Sequence, residues 1–225
     1  MKNITLSEYQ QLCHNAITLA DDEYGKKVLE LTDHTIIKLF RVKRFISQAT
    51  LYSPARRFAK NAQRLIQLNI PTINLIALYK IKSIKRTAVH YHQLKGVTVR
   101  EYLDGHPNDN NFLLDLGKFL AHLHHLGILF RSAHFGNIIF TSENTFGLID
   151  ISDMKIYKSP LNRNKRLRNL KHIFRLKEDL ELLKGTDSIE RSYLKHCGIN
   201  KKKFHQDFMM TCCKLKNKGN IEICK

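Results

Sequence analysis

The hydrophobic pattern of the chain changes period at Gly96, and this change constrains the fold more than any other feature of the sequence. Before Gly96, short apolar runs separated by polar turns are typical of β-strands. After Gly96, apolar residues recur every three or four positions, which predicts helices. The sequence therefore predicts an α+β protein with a sheet-plus-helix part over residues 1–95 and a mainly helical part over residues 96–225.

Four apolar runs before Gly96 predict two antiparallel strand pairs. Residues 27–31 and 35–40 form the first pair, and residues 73–81 and 87–94 form the second. Helical spacing predicts one helix between the pairs, over residues 54–68. The elements predicted after Gly96 are helices over 97–103 and 112–126, strands within 128–140 and 146–151, and basic helices from about residue 161.

The most informative segment, residues 123–153, places a polar loop between apolar strands just after a helix. Loops of this kind carry functional groups on rigid supports. Its unusual polar residues are Arg131, Ser132, His134, Asn137 and Asp150. The alternative is that Asn137 and Asp150 only cap turns, but their shared position at the ends of apolar strands favours a site.

This segment resembles the catalytic loop of protein-kinase-like enzymes, in which His-Arg-Asp is followed five residues after the Asp by Asn. Arg131 and Asn137 match that pattern, whereas Ser132 stands in place of the catalytic Asp. Leu-Ile-Asp at 148–150 matches the strand that ends in the metal-binding Asp. Together with His-Phe-Gly-Asn at 134–137, it is most similar to bacterial lipopolysaccharide-core kinases and the related toluene-tolerance-type proteins.

Other segments agree with this resemblance. Residues 35–39 are similar to the strand that bears the phosphate-contacting Lys, residues 69–71 to the Gly-Ile-Pro after the first helix, and residues 95–98 to the segment after the hinge. The similarity covers about residues 28–180. It implies a two-lobed protein-kinase-like fold, with a small sheet-plus-helix N-lobe, a mainly helical C-lobe and a hinge near residues 94–97.

The resemblance also implies ATP and Mg²⁺ as cofactors and a role for each matched residue. The implied catalytic residues are Ser132, His134 and Arg131, and the implied cofactor-binding residues are Lys38, Asn137 and Asp150, of which Asn137 and Asp150 ligate the metal. Ser132 would lie closest to the acceptor, and Arg131 would hold the loop. Asn137 and Asp150 supply the hard oxygen ligands that Mg²⁺ prefers, and Lys38 supplies a point charge for the phosphates.

The catalytic base is missing from the loop. Ser132 cannot act as a carboxylate base, and such a base is commonly worth about 10²–10⁴ in rate. His134 and Asp153 are the available substitutes, and Asp153 could instead hold the loop or a second metal. The sequence therefore predicts slow or atypical catalysis.

The phosphate-binding part also departs from the family. Residues 34–100 contain fourteen Lys and Arg and no acidic residue, so the predicted helix cannot provide the Lys-Glu ion pair of active protein kinases. Lys38 would have to be positioned by Asp150 or by bound phosphate. Only Gly25 represents the glycine-rich loop, so the sequence predicts little backbone cradling of the phosphates.

The charge of the chain predicts anionic partners. The 38 Lys and Arg against 20 Asp and Glu give a formal net charge of +18. Residues 155–177 hold nine of these basic residues and no acid, which indicates either a solvated helix face or a docking surface for an anionic acceptor or an anionic lipid surface. Nucleic acid is the weakest of these partners, because the chain has no aromatic-basic RNA signature, zinc finger or basic zipper.

Cysteine and apolar patterns bear on location. An odd number of cysteines, five, with no CxxC pair, predicts reduced thiols. The N-terminus lacks a signal-peptide core, and no run of about 18 apolar residues occurs. These patterns predict a cytoplasmic protein, and the resemblance implies a bacterial one in peripheral contact with the inner membrane. His122, His124 and His125 lack ligand spacing, and we interpret them as surface or hydrogen-bonded core residues.

Taken together, the sequence favours an ATP- and Mg²⁺-dependent phosphotransferase of the lipopolysaccharide-kinase type, acting on a hydroxyl of a small or glycolipid acceptor. One alternative is a pseudokinase, a nucleotide-binding or partner-binding module of the same fold without turnover. A second alternative, from another class, is a basic protein that binds an anionic membrane surface or nucleic acid.

Overall fold

The computed structural model describes residues 1–42, 53–199 and 202–221. Within these residues the protein is α+β, as the sequence predicts, with eight α-helices and eleven strands in three sheets. The chain divides into two compact units: Met1–Leu94 with Asp150–Asp153, and Lys95–Ile149 with Met154–Lys225. Residues 150–153, which the predicted division at residue 95 assigns to the C-terminal part, therefore group with the first unit.

The first unit is a mixed six-stranded sheet with two helices. Its elements are β1 (Lys2–Ile4), α1 (Leu6–Leu12), β2 (Ile17–Asp22), β3 (Gly25–Glu30), β4 (Thr35–Arg41), α2 (Pro54–Gln67), β5 (Asn74–Ile81) and β6 (Arg86–His92). The strand order is β1-β5-β6-β4-β3-β2, in which β1 is parallel to β5 and the other neighbours are antiparallel. The predicted pairs β3–β4 and β5–β6 and the predicted helix α2 are confirmed.

Strand β4 is an inner strand of the sheet, with β6 on one side and β3 on the other. Its first five residues, including Lys38, are buried. Helix α2 begins where the Ser53 side chain accepts the Arg56 amide and Pro54 takes the first turn. Its buried residues recur at helical spacing and include Phe58 and Leu65. The apolar periodicity therefore sets which face of α2 packs inward.

Strand β1 and helix α1 are elements that the sequence analysis does not identify. The signal for α1 is a capping box, in which Thr5 and Glu8 bond to each other's backbone amides. Partly buried side chains of α1, including Tyr9 and Leu12, pack against a buried cluster that contains Ile37 and Leu39 of β4. One face of β4 is thus covered by this N-terminal segment.

The second unit contains the other helices and two small antiparallel sheets. Its elements are β7 (Val97–Thr98), α3 (Val99–Gly105), α4 (Asn110–His125), β8 (Ile128–Phe130), β9 (Ile138–Phe140), β10 (Phe146–Leu148), β11 (Met154–Ile156), α5 (Arg163–Ile173), α6 (Lys177–Glu181), α7 (Ser188–His196) and α8 (Lys202–Ile221). The sheets are β10-β9-β7 and β11-β8. No helix in the described ranges combines the length and the apolar character needed to cross a bilayer.

Two element boundaries differ from the prediction. The helix predicted over 97–103 begins at Val99, because Val97 and Thr98 pair with β9 and the Thr98 side chain then caps the helix by accepting the Glu101 amide. The strand predicted over 146–151 ends at Leu148. A 3-10 turn, Ile151–Asp153, follows it.

Candidate functional site

Lys38 is a lysine inside a sheet. It lies on β4 between β3 and β6 and is 8% exposed. Its Nζ lies 6.0 Å from the ring centroids of both Phe40 and Phe58. A charged amine in such surroundings needs an anionic partner, because burial without one is costly.

That partner is Asp150. The Lys38 Nζ donates to Asp150 Oδ1 at 2.6 Å, which agrees with the expectation that Asp150 positions this lysine. Asp150 has φ +50, a left-handed conformation that Asp tolerates better than most residues. The next residue is anchored by Asn61 of α2, whose Nδ2 donates to the Ile151 carbonyl at 2.7 Å.

The negative charge of Asp150 also affects the pKa of Tyr91 on β6. Burial chiefly, and the negative charge of Asp150 in addition, raise the pKa of Tyr91. Tyr91 in turn lies 5.4 Å from Phe58, ring centroid to ring centroid. Three aromatic residues, Phe40, Phe58 and Tyr91, therefore lie near the Lys38–Asp150 pair.

The turn between β2 and β3 stands where the resemblance expects a glycine-rich loop. Gly25 has φ +98, which favours glycine. The Tyr24 amide donates to Asp22 Oδ1 at 2.9 Å, and Arg86 donates to the Tyr24 carbonyl at 2.9 Å. Because the Tyr24 amide is already bonded, this turn does not offer it to a phosphate.

In the second unit, Asn137 organises the loop that follows β8. Its Nδ2 donates to the Ser132 carbonyl at 2.9 Å and contacts His134 Nε2 at 2.9 Å. The amide orientation is defined, because a carbonyl oxygen can only accept. Asn137 Oδ1 accepts no hydrogen bond from any described residue, so it remains a candidate metal ligand.

The same contacts define the state of His134. Its Nε2 accepts from the Asn137 amide, so the neutral ring carries its proton on Nδ1. In this arrangement the Nε2 lone pair is occupied. His134 could serve as a base only after its bond to Asn137 breaks.

The backbone before the loop is held by Asn169 of α5. Its Nδ2 donates to the Phe130 carbonyl at 2.7 Å, and its Oδ1 accepts from the Phe130 amide at 3.2 Å. Arg131 and Ser132, which follow Phe130 directly, are both half-buried. Asn169 thus acts like a neighbouring strand at the point where the loop begins.

Asp179 of α6 fixes the middle of the loop and is fully buried. It accepts from the Phe135 amide at 2.9 Å and from Arg100 Nε at 2.7 Å. The sequence analysis missed Asp179, although Glu178 and Asp179 are the first acidic residues after a long basic stretch. Arg100 and Asp179 were both missed because they bond to each other across 79 residues of the chain, and no local pattern reveals such a contact.

His124 belongs to the core behind the loop. Its ring bonds Tyr193 Oη at 2.6 Å and Asn169 Oδ1 at 3.1 Å. Burial, opposed by the bond to Asn169, lowers its pKa to about 3. The interpretation of His124 as a hydrogen-bonded core residue is confirmed.

Within the described ranges, no group of three or more His, Cys, Asp and Glu side chains could hold a metal ion. His122 and His125 are exposed. The assignment of Asn137 and Asp150 as metal ligands stays a prediction.

Comparisons with known proteins give no family. No protein-family model matches the chain, and no curated protein sequence matches it significantly.

Proposed function

We propose that the chain is an ATP- and Mg²⁺-dependent phosphotransferase of the lipopolysaccharide-kinase type, acting on a hydroxyl of a small or glycolipid acceptor. The observation that carries the proposal is the contact of Lys38 Nζ with Asp150 Oδ1 at 2.6 Å. The two residues are separated by 112 positions. A two-lobed protein-kinase-like fold is part of the same proposal.

Lys38 supplies the cation for the nucleotide phosphates. It is on a strand buried in a sheet, so its position is fixed before a ligand arrives. In the absence of phosphate it is neutralised by Asp150. When phosphates bind, the same amine can donate to a phosphate oxygen as well, because an ammonium has three donors.

Asp150 and Asn137 have the donor atoms that Mg²⁺ requires. Asp150 uses Oδ1 for Lys38 and has a second carboxylate oxygen, and Asn137 has an unused amide oxygen. The Ile149 amide donates to the Asn137 carbonyl at 3.1 Å, which holds the backbone of Asn137 against the end of the β10 segment. Bound Mg²⁺ would neutralise charge on the transferring phosphoryl group, and two protein ligands suffice for it because it keeps several waters.

The acceptor side of the loop lacks a strong base. Ser132 Oγ is a weak acid and cannot take up a proton at neutral pH. His134 has a lone pair at Nε2 that Asn137 occupies. We therefore expect turnover to be slower than in enzymes with an aspartate at this position, by about 10²–10⁴.

A pseudokinase is the second candidate, and the occupied His134 Nε2 favours it. Ser132 at the base position points the same way, because it cannot act as a carboxylate base. Nucleotide would then bind without phosphotransfer. The two candidates share Lys38, Asn137 and Asp150 and differ only in turnover.

ADP formation tests turnover in the intact chain. We expect slow, Mg²⁺-dependent ADP formation that is lost in Asp150→Asn, because the metal loses its carboxylate ligand. The control is Asp104→Asn, an exposed residue of α3 with the same chemical change, which should match the wild type. Equal background in all three proteins would reject the phosphotransferase in favour of the pseudokinase.

A further inference from the structure

The basic stretch 155–177 is not one uniform surface. Arg166 is buried, where it donates to the carbonyls of Leu161 at 2.7 Å and Cys197 at 2.8 Å. Arg163 is paired with Asp207 of α8. These two arginines hold the fold together, so they are not available to a partner.

The outward face of α5 keeps its charge. Arg168 and Lys171 lie one turn apart and are exposed, and Arg175 follows directly after the helix and is also exposed. None of the three forms an ion pair with a carboxylate in the described part of the chain. The next acid along the chain, Glu178, faces Arg100 at 3.5 Å, so it is already opposed.

Helix α8 packs beside α5 and continues this surface. The Arg163–Asp207 pair joins the two helices. The inward face of α8 is apolar, with Phe204, Phe208 and Cys212 buried. Its outward face carries exposed lysines and two exposed methionines: Lys202, Lys203, Met209, Met210 and Lys214.

The methionines are close to the charges. Met209 is 36% exposed and Met210 is 51% exposed. Met210 lies one helical turn after Asp207, the α8 residue that pairs with Arg163 of α5. Lys203 lies one turn before Asp207, and Lys214 lies one turn after Met210. We call Arg168, Lys171 and Arg175 with Lys202, Lys203 and Lys214, and the methionines between the lysines, the α5–α8 surface.

We propose that the α5–α8 surface docks the protein on an anionic membrane. Its six charges are spread along two helices rather than converging on one point, so they fit an extended anionic surface and not a single phosphate. Apolar side chains among lysines fit a bilayer, into which methionine can insert. Nucleic acid would leave the methionines without a partner. This inference does not depend on phosphotransfer.

Vesicle co-sedimentation of the full-length protein tests the proposal. The probe is vesicles of phosphatidylcholine and phosphatidylglycerol in about a 2:1 ratio, compared with phosphatidylcholine alone. We expect binding to the anionic vesicles only, weakening as salt is added, because surface charges are screened. Equal binding to both vesicle types, or binding to neither, would overturn the proposal.

The first variant is the triple substitution Arg168→Gln, Lys171→Gln and Arg175→Gln. Each basic residue near an anionic leaflet contributes about a fivefold factor, so we expect binding to weaken about 10²-fold. The control is Lys80→Gln, Lys82→Gln and Lys85→Gln, which removes the same charge from exposed residues of the first unit. Equal losses in both triples would mean diffuse attraction and would overturn the assignment to this surface.

A second variant separates lipid from nucleic acid. Met209→Gln with Met210→Gln keeps every charge, and we expect it to bind the anionic vesicles several-fold more weakly because less apolar surface inserts. Unchanged vesicle binding by this variant would overturn the lipid assignment. The lipid assignment would also be overturned if the wild-type protein bound a DNA duplex tightly but did not bind vesicles, and if the α5 triple substitution abolished the DNA binding. Melting temperatures close to the wild type show that each variant is folded.

Discussion

At the scale of single residues, the two partners of the Lys38–Asp150 pair differ in burial. The Lys38 side chain is 10% exposed and the Asp150 side chain is 40% exposed. Removing one member of such a pair costs most when the charge left behind is buried. The lysine is therefore the member that depends on its partner.

We predict that Asp150→Asn destabilises the protein more than Lys38→Met does. Asp150→Asn leaves a buried ammonium without a counter-charge, whereas Lys38→Met leaves a carboxylate that water can reach. The difference in the free energy of unfolding should be about 1–2 kcal/mol. Urea unfolding measures it, and an equal or larger cost for Lys38→Met would contradict this account of the pair.

His124 makes stability depend on pH. The folded protein keeps it neutral down to a pKa of about 3, whereas in the unfolded chain its pKa is near 6.5. Between these two values only the unfolded chain takes up the proton, so the free energy of unfolding falls as the pH is lowered. The contribution is fully present above pH 6.5 and is lost as the pH falls toward 3.

We predict that protonation of His124 in the unfolded chain lowers the free energy of unfolding by about 2 kcal/mol between pH 7 and pH 5. His124→Gln should be less stable at pH 7 but should show a shallower loss on acidification. Urea unfolding of both proteins at the two pH values gives the comparison. Parallel pH profiles would show that His124 does not titrate as its burial requires.

Some residues of the candidate site carry a signal in the sequence and others do not. Lys38, Asn137 and Asp150 stand out because each is polar at the end of, or within, an apolar strand. Asn61 and Asp179 do not stand out, because each acts on a backbone group far away in the chain. Asn61, for example, bonds a carbonyl 90 residues away, and periodicity carries no information about such contacts.

At the scale of elements, the short helix α6 serves to place Asp179. Asp179 is fully buried, while Glu178 beside it is 55% exposed. The same helix turn therefore offers one carboxylate that binds the loop backbone and one that mainly faces water. This provides a matched pair of substitutions.

We predict that Asp179→Ala lowers the free energy of unfolding by about 3–5 kcal/mol. The substitution leaves the Phe135 amide buried without an acceptor and Arg100 without its closest carboxylate. Glu178→Ala should cost less than about 0.5 kcal/mol, because its carboxylate is exposed. Similar costs for the two, measured by thermal or urea unfolding, would remove Asp179 as the anchor of the loop.

Gly117 allows α4 and α7 to approach closely. A Cβ at this position would lie 2.4 Å from the Ile189 carbonyl oxygen and 2.9 Å from Ser192 Cβ. Ser192 Oγ also donates to the Leu114 carbonyl at 2.5 Å across the same contact. The glycine in mid-helix is thus explained by packing, although it lowers helix propensity.

We predict that Gly117→Ala destabilises the protein by about 1–3 kcal/mol, because the added methyl forces α4 and α7 apart. Helix propensity alone would give the opposite sign, a gain of about 1 kcal/mol. Gly105→Ala is the control, since nothing lies within 4 Å of a Cβ there, and it should be neutral or stabilising. A stable Gly117→Ala protein would contradict the close packing.

The elements that the sequence predicts well are those with local signals. Helix α2 and the strand pairs β3–β4 and β5–β6 are confirmed because periodicity and turns define them within a short window. Strand β7 was predicted as helix, because its only strand signal is pairing with β9, about 40 residues later in the chain. The parallel pairing of β1 with β5 is likewise non-local.

At the scale of the whole molecule, the charge is divided between structure and partners. Arg86, Arg100, Arg163 and Arg166 are bonded within the protein. The net charge of +18 therefore overstates what is available to a ligand. The fold decides which basic side chains are bonded within the protein and which can bind a ligand, and the sequence alone does not distinguish the two groups.

The central proposal is that the Lys38–Asp150 pair binds a metal-bound nucleotide. The most direct test is the melting temperature of the protein with millimolar ATP and Mg²⁺. At about ten times the dissociation constant, binding adds about 1.4 kcal/mol, or about 3–6 °C. The account predicts such a rise for the wild type and Asp104→Asn, and its loss in Asp150→Asn. No rise in the wild type, or an equal rise in Asp150→Asn, would contradict it.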